Sequence, residues 1–252
     1  MLFVIDIGNT HIVIGVFENQ TLRRDWRIHT EPGMTADEFH LMVSSLFQEA
    51  GIKKDFIDKT VISCVVPPLV NMLTAFCRKY LNHLPLWISP HNVGMPITYD
   101  NPAEVGADRL VNAVAAYQKY AGSLIVIDFG TATTFDVISE QGEYIGGAIS
   151  PGIGIAAEAL FSRAAKLPRV EFQPPARVIG TNTTDSMKSG ILFGYAELVD
   201  GMVGRIRAEM LPASPKVIAT GGMAEIMRGI SKTIETVEPG LTLEGLRIIS
   251  ER

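Results

Sequence analysis

The sequence has few cysteines and no strong excess of charge of either sign. Only two of its 252 residues are cysteine, Cys64 and Cys77, and their spacing fits no metal-binding motif. We interpret both as small buried side chains of a protein from a reducing, cytoplasmic environment. The net charge of −5 indicates no basic surface of the kind that binds nucleic acid.

Long apolar runs are also missing. No uncharged run reaches the roughly 18 apolar residues of a membrane span, so we expect no membrane segment. The chain starts in a predicted strand with no basic segment before it, so we expect no secretory signal. With 47% hydrophobic residues, the sequence has the composition of a folded α/β protein that is long enough for two domains.

Two common nucleotide-binding motifs are absent or incomplete. The Gly-x-x-x-x-Gly-Lys-Ser/Thr motif of P-loop proteins does not occur. Gly152-Ile153-Gly154 precedes a predicted helix, as in dinucleotide-binding proteins, but Pro151 interrupts the junction between strand and helix. The segment 170–172, which would be the next strand, is short and flanked by prolines. We therefore predict neither a P-loop nor a dinucleotide-binding fold.

The sequence does contain a short internal repeat. Val4-Ile5-Asp6-Ile7-Gly8 returns as Val126-Ile127-Asp128-Phe129-Gly130, with Val, Ile, Asp and Gly in the same register. Small polar residues and a second apolar run follow each copy, which predicts a strand, a tight turn and a strand. A carboxylate beside the free N–H groups of a glycine turn suits phosphate and a divalent cation. The repeat predicts two related lobes with a nucleotide between them.

The remaining pattern alternates strands and helices, which predicts an α/β protein with mixed sheets. Thr35 to Glu38 is typical of a capping box, and the helix that it begins should end at Gly51. The run 61–66 predicts a buried parallel strand, and the loop 89–102 a bridge between the lobes. Further strands are predicted over 22–30, 86–88, 144–149, 217–219 and 246–249, and further helices over 69–82, 107–120, 153–165, 184–210 and 223–231.

A second informative stretch lies where the helix over 107–120 begins. Gly106 allows a ligand to approach the backbone, and Asp108 falls in the first turn, where the helix dipole predicts a low pKa. Arg109 offers a planar set of donors for a carboxylate or phosphate. Asp108 and Arg109 together suit the hydroxyl and the acid group of one small substrate. The alternative is a helix-start carboxylate beside a surface ion-pair partner.

Several motifs together make the chain resemble the type III pantothenate kinases over essentially its whole length. Gly-Ala-Asp-Arg and Asp-Phe-Gly-Thr-Ala-Thr-Thr are specific to that family, whereas Asp-x-Gly turns occur throughout the actin-like ATPases and sugar kinases. The motifs are Asp6-x-Gly8-Asn9-Thr10, Ser63-x-Val65-Val66-Pro67, Asn101-Pro102-x-x-Val105-Gly106-Ala107-Asp108-Arg109, Asp128-x-Gly130-Thr131-Ala132-Thr133-Thr134, Gly146-Gly147-x-Ile149-x-Pro151-Gly152 and Thr220-Gly221-Gly222.

The resemblance implies a duplicated ribonuclease-H-like fold of the actin-like ATPase type. Its N-terminal lobe would span 1–105 and its C-terminal lobe 106–252, with a mixed sheet in each and a nucleotide cleft between them. The implied activity is phosphorylation of pantothenate to 4′-phosphopantothenate by ATP, the first step of coenzyme A biosynthesis, in a homodimer. The alternatives are another small-molecule kinase of the superfamily, or a non-catalytic regulator similar to the Bvg accessory factor.

The resemblance also implies roles for individual residues. Asp108 would be the general base, and Asp128 would bind the monovalent cation, potassium or ammonium, that the family requires. Some family members have a lysine near position 13, where Val13 can offer only backbone contacts. ATP, with Mg²⁺, would be bound by Asp6, Ile7, Gly8, Asn9, Thr10, His11, Ile12, Val13 and Thr131. Pantothenate would be bound by Tyr99, Gly106, Ala107, Asp108, Arg109 and Thr183, with Thr181 and Thr184 as neighbouring alternatives to Thr183.

Two further features bear on assembly and charge. The helix over 153–165 is apolar almost all round and the helix over 184–210 is rich in glycine, so we expect one or both to form a dimer interface. Neither glycine turn nor its flanking strands, 4–17 and 126–139, contains Lys or Arg. ATP bound there would therefore need cations from elsewhere.

Overall fold

The structure, a computed structural model, describes residues 1–164 and 166–252 as alternating strands and helices. Its first half contains β1 (Leu2–Ile7), β2 (His11–Glu18), β3 (Thr21–His29), α1 (Ala36–Glu49), β4 (Lys59–Cys64), α2 (Pro68–Phe76), β5 (Leu86–Trp87) and α3 (Ala107–Tyr120). Its second half contains β6 (Leu124–Phe129), β7 (Ala132–Ile138), β8 (Tyr144–Pro151), α4 (Ile153–Arg163), α5 (Thr183–Glu209), β9 (Lys216–Gly221), α6 (Ala224–Arg228), β10 (Thr236–Val237) and α7 (Leu241–Ser250).

The strands form two mixed sheets of five strands with the same topology. The first has the order β3-β2-β1-β4-β5, and the second, read from its far edge, has the equivalent order β8-β7-β6-β9-β10. In each sheet the first three strands pair antiparallel and the last two add in parallel. The duplicated α/β fold predicted from the repeat is thus confirmed.

Burial explains why the repeated segments lie at the centre of each sheet. Phe3 to Ile5 in β1 and Ile125 to Ile127 in β6 are fully buried, as expected for strands covered on both faces. In the first core the rings of Phe3 and Phe47 meet edge to face at 5.2 Å, so α1 covers one face of that sheet. Leu192 and Val199 of α5 pack in the second core. The two carboxylates of the repeat, Asp6 and Asp128, therefore lie near the ends of buried central strands.

The chain divides into two compact units, each containing one sheet. The first unit comprises residues 1–95, 100–115 and 241–252, and the second comprises 96–99 and 116–240. This division differs from the expected boundary after residue 105, because most of α3 and all of α7 pack with the first unit. Gly245 in α7 shows how close that packing is, since a Cβ there would overlap the backbone of Val111.

Most predicted elements are present, with one error of type. Residues 246–249, predicted as a strand, belong to α7, and the short strand β10 was not predicted. The helix predicted over 223–231 is only α6, and the one predicted over 69–82 is α2 followed by a π turn over Cys77–Leu81. The capping box at Thr35 is confirmed by hydrogen bonds in both directions with Glu38. Among the described residues, no helix has the length and apolar character needed to span a bilayer.

Candidate active site

The first glycine turn joins β1 to β2 and is held from the neighbouring strand. Gly8 N donates to His11 O at 3.0 Å, which closes the turn. Thr30, just after β3, donates from its N–H to Thr10 O at 3.0 Å and from its hydroxyl to Gly8 O at 2.6 Å. Asn9 and Thr10 are exposed between these anchors. The turn therefore presents polar groups to solvent on a fixed backbone, as phosphate binding requires.

The residues expected to bind ATP differ in what they can offer. Ile7 and Ile12 are fully buried in the first core, so only their backbone is available to a ligand. Asp6, His11 and Val13 are half-buried, and Asp6 lies directly across β1 and β2 from Val13. Residues opposite each other in a pair of antiparallel strands project from the same face of the sheet. Asp6, His11 and Val13 therefore share the face that lies away from the first core.

The second glycine turn is one residue shorter and packs against the start of α4. Gly130 N donates to Ala132 O at 3.1 Å, and the Thr131 side chain is exposed. Gly152, which precedes α4, donates its N–H to Thr131 O at 3.1 Å. A Cβ at Gly152 would overlap the carbonyl oxygens of Gly130 and Thr131. Only glycine fits there, so the Pro151-Gly152 motif fixes the turn rather than forming a dinucleotide site.

Asp128 lies at the equivalent of Asp6, beside a glycine on the neighbouring strand. It pairs with Thr220 in β9, and the next residue, Gly221, has a φ of +89°. A Cβ on Gly221 would lie 2.5 Å from Asp128 Oδ1. Because glycine has no side chain, the space beside this carboxylate oxygen stays open. The Thr220 hydroxyl donates to Glu238 O at 2.8 Å, which holds the strand end in place.

A carboxylate oxygen in a space kept open by glycine suits a hard cation. Within residues 1–164 and 166–252, no three His, Cys, Asp or Glu side chains cluster as a metal site.

The third carboxylate of the turn regions, Asp136, has structural partners. It is fully buried in β7. Its Oδ1 accepts a hydrogen bond from the Tyr144 hydroxyl at 2.8 Å, and its Oδ2 accepts one from the Thr134 hydroxyl at 2.9 Å. A buried carboxylate with two such donors stabilises the sheet and is not available to a ligand.

Gly106, Asp108 and Arg109 are brought together at the start of α3. The Arg109 N–H donates to Asp108 Oδ1 at 2.9 Å, and a Cβ on Gly106 would lie 2.5 Å from that same oxygen. Glycine at 106 therefore leaves room for the carboxylate. Arg109 is only 6% exposed, so the alternative of a surface ion pair is wrong.

The pKa of Asp108 differs from the expectation based on its helix position. Burial raises the pKa of this carboxyl above its ordinary value, although the Arg109 N–H and guanidinium act in the opposite direction. The low pKa expected from the first turn of the helix is thus wrong, because loss of water outweighs the nearby donors. A raised pKa makes Asp108 a better proton acceptor than an exposed aspartate.

The remaining candidates lie in the second unit. Tyr99 is 37% exposed, with its ring 6.4 Å from that of Tyr144, on a segment that pairs with Tyr144 through Pro96 and Thr98. Thr183 is the first residue of α5, after the N-cap Asn182. Thr181 and Thr183 both line a pocket of about 960 Å³ formed largely by α4 and α5, along with Leu160 and Leu198.

One contact in the site had no signal in the sequence. Thr30 follows β3 and is separated from Gly8 by a whole hairpin, so its hydrogen bonds to the first turn depend on strand pairing. In the sequence, Gly152 and Gly221 stand out only as parts of motifs. Their role, the space left by a missing Cβ, is defined by contacts made in the folded chain.

The family model that matches this chain and two of its curated relatives belong to one family. The family model of the type III pantothenate kinases matches residues 2–205. A type III pantothenate kinase from Desulfatibacillum aliphaticivorans is 63% identical over 254 residues, covering 100% of this chain and 98% of the relative. One from Geobacter sulfurreducens is 54% identical over 253 residues, covering 100% and 99%.

Solved structures with low sequence identity share the fold. A polyphosphate/ATP-glucomannokinase from Arthrobacter superposes with a TM-score of 0.53 at 15% identity, covering 99% of this chain and 98% of the other. An activator of 2-hydroxyisocaproyl-CoA dehydratase from Clostridium difficile, solved with bound ADPNP, gives a TM-score of 0.56 at 14% identity, covering 99% and 94%.

Proposed function

The chain belongs to the type III pantothenate kinase family and phosphorylates pantothenate in coenzyme A biosynthesis, and we propose that Asp108 activates the attacking hydroxyl. The observation that supports this role is a half-buried carboxylate with a raised pKa beside a buried arginine. The pantothenate hydroxyl oxygen bonds to the γ-phosphorus of ATP while the bond to ADP breaks. Asp108 orients the hydroxyl and accepts its proton as the new bond forms.

Each glycine turn is proposed, on its own geometry, to offer donors to the phosphates of ATP. Asn9, Thr10 and Thr131 are exposed on turns whose backbones are held by Thr30 and Gly152. Phosphoryl transfer has a loose transition state, so fixed donors that position the phosphates contribute much of the catalysis. Mg²⁺ enters with ATP as part of the substrate, and Asp6 is the turn carboxylate that we assign to it.

Pantothenate is proposed to bind through Arg109, with contributions from Tyr99, Gly106, Ala107 and Thr183. The planar guanidinium of Arg109 matches a carboxylate with two parallel hydrogen bonds. Its burial strengthens that interaction, because the bound carboxylate is then screened from water. The arrangement of acid and guanidinium on adjacent residues suits a substrate that carries a hydroxyl and a carboxylate.

A monovalent cation, potassium or ammonium, is proposed to bind at Asp128. The space beside Asp128 Oδ1, kept open by Gly221, supports this assignment. When bound, the cation offsets the negative charge of the phosphates. Asp128 itself holds the ion, and Thr220 fixes the strand that carries Gly221.

A homodimer that uses α4 and α5 is proposed for assembly. Ile155, Leu160 and Leu198 on these helices are each more than a third exposed, which leaves apolar surface on both helices. A second copy of the chain would cover them. We also propose a cytoplasmic location, which agrees with free thiols at Cys64 and Cys77, and no role for nucleic acid.

The experiment that tests the function is an ADP-release assay of the purified chain with a panel of hydroxy acids and sugars, with products identified by mass spectrometry. We expect rapid turnover with pantothenate and formation of 4′-phosphopantothenate, with little turnover of sugars. Preferential phosphorylation of a sugar would instead identify another kinase of the superfamily. Absence of turnover with every acceptor would indicate a non-catalytic regulator.

A further inference from the structure

The phosphate-binding turns lack the basic side chain that a triphosphate usually needs. No Lys or Arg occurs in 4–17 or 126–139, where Asp6, Asp128 and Asp136 supply negative charge. Mg²⁺ and one monovalent cation offset only part of the charge of ATP and these carboxylates. A further cation has to come from a neighbouring element.

Strand pairing in the first sheet identifies such an element. Asp6 in β1 lies opposite Val13 in β2, and Val13 lies opposite Arg27 in β3. These residues form one row across three antiparallel strands, so their side chains project from the same face. The adjacent residues Trp26 and Ile28 pack against the first core, on the opposite face. Arg27 is thus the basic residue in the row that begins with Asp6.

The surroundings of Arg27 leave its charge available. Its side chain is exposed, and among the described residues no carboxylate forms an ion pair with it. Arg23, by contrast, pairs with Glu18 at 3.4 Å. Burial lowers the pKa of His11, at the end of the first turn, and the charges of Arg27 and His29 lower it further. The field of Arg27 therefore reaches the turn.

Two histidines lie on the same face as Arg27. His11 lies opposite His29, and their rings stack with centroids 5.2 Å apart. Thr30, the next residue, forms the two hydrogen bonds that hold the turn. The end of β3 is therefore hydrogen-bonded directly to the turn.

We propose that Arg27 binds the phosphates of the nucleotide at the first glycine turn and supplies the cation that this turn lacks. Its guanidinium offers paired donors to phosphate oxygens, which a lysine cannot match in geometry. This inference rests on the proposed ATP site of a pantothenate kinase, and it adds β3 to that site. Arg27 acts on the nucleotide, so its loss should change nucleotide affinity more than pantothenate affinity.

The test measures binding of MgATP and MgADP to the full chain by titration calorimetry, for the parent and three variants. R27Q removes the charge, R27K keeps the charge without the planar fork, and R24Q is the matched control. Arg24 is an exposed arginine on the same strand that lies opposite Val16, on the other face. We expect R27Q to weaken MgATP binding about tenfold or more, the size typical of a lost charge-assisted hydrogen bond. R27K should be intermediate and R24Q within about twofold of the parent.

The steady-state readout separates this role from a structural one. R27Q should raise the KM for ATP while the KM for pantothenate and the melting temperature stay close to those of R24Q. Equal MgATP affinity in R27Q and R24Q would overturn the inference, as would equal rises in both KM values. Failure of the parent to phosphorylate pantothenate would contradict the proposed function alone, because nucleotide binding is measured without an acceptor.

Discussion

At the residue scale, the site depends on what surrounds Asp108. Its position at the start of α3 favours the ionised carboxylate, whereas burial favours the neutral acid, and burial has the larger effect on the pKa. Gly106 makes the space for the carboxylate, and Arg109 donates a backbone hydrogen bond to it. Burial therefore raises the pKa of a carboxyl that its helix position alone would keep strongly acidic.

The pH dependence of turnover follows from this shift. A general base must be ionised, and its pKa lies above the ordinary value of about 3.9, so activity should fall at a higher pH than for an exposed aspartate. We expect an acid limb in the pH profile of kcat/KM for pantothenate, with an apparent pKa above that of an exposed aspartate. A profile that is flat down to pH 4 would contradict this expectation.

Arg109→Lys tests the carboxylate clamp. Lysine keeps the charge but not the planar fork, so the KM for pantothenate should rise about tenfold while the KM for ATP changes little. Initial rates with each substrate varied in turn provide the comparison. Equal rises in both values, or a lowered melting temperature with unchanged KM values, would indicate a structural role for this buried side chain.

At the element scale, the sequence pattern predicted the two sheets correctly but assigned the wrong element type near the C-terminus. The two hairpins and the parallel strand after the first are short, buried and bounded by turns, so apolar runs there predict strands reliably. Residues 246–249 are equally apolar but belong to α7, where Leu246 and Ile249 are buried and Gly245 packs against Val111. A short apolar run does not distinguish a buried helix from a strand, since only tertiary packing decides between them.

The candidate site residues could be named from the sequence, but their contacts in the fold could not. Asp6, Asp108 and Asp128 are recognisable from motifs, since each lies two residues from a glycine near one end of a strand or helix. The anchoring of the first turn by Thr30 and the row that joins Asp6 to Arg27 depend on strand pairing. The raised pKa of Asp108 depends on burial, which a helix-start pattern does not contain.

The helices α4 and α5 make a prediction of their own. Apolar side chains exposed on both, including Ile155 and Leu198, should be covered by a second copy of the chain. Sedimentation equilibrium at micromolar concentration should give twice the 27.4 kDa mass of the chain. Leu198→Glu should weaken that association, whereas Leu41→Glu, an exposed leucine on α1, should not. A parent protein that sediments as a monomer would contradict the prediction.

At the scale of the whole molecule, two sheets of the same topology end in carboxylates with different surroundings. Asp6 shares its face with Val13 and Arg27, whereas Asp128 faces the space beside Gly221. The two related turns therefore differ in what surrounds their carboxylates. We assign the first to MgATP and the second to a monovalent cation.

The dependence of activity on potassium tests the assignment of a monovalent cation to Asp128. Activity should rise with potassium or ammonium and be poor in sodium alone, because the smaller ion fits a cage of oxygen ligands of different size. The measurement is initial rate against potassium at constant ionic strength, balanced with tetramethylammonium. Asp128→Asn should weaken this activation and ATP binding, while circular dichroism shows the fold intact. A rate independent of potassium in the parent protein would exclude a cation at Asp128.

The central claim, that Asp108 is the base of a pantothenate kinase, is tested most directly by Asp108→Asn. The fold raises the pKa of this carboxyl, so at neutral pH it disfavours the ionised form, and the neutral amide should leave the melting temperature unchanged or raised. We predict that kcat falls about 10²–10⁴-fold, the usual contribution of a positioned base, while MgATP binding is retained. Turnover of pantothenate by the folded variant at the parental rate would contradict the account.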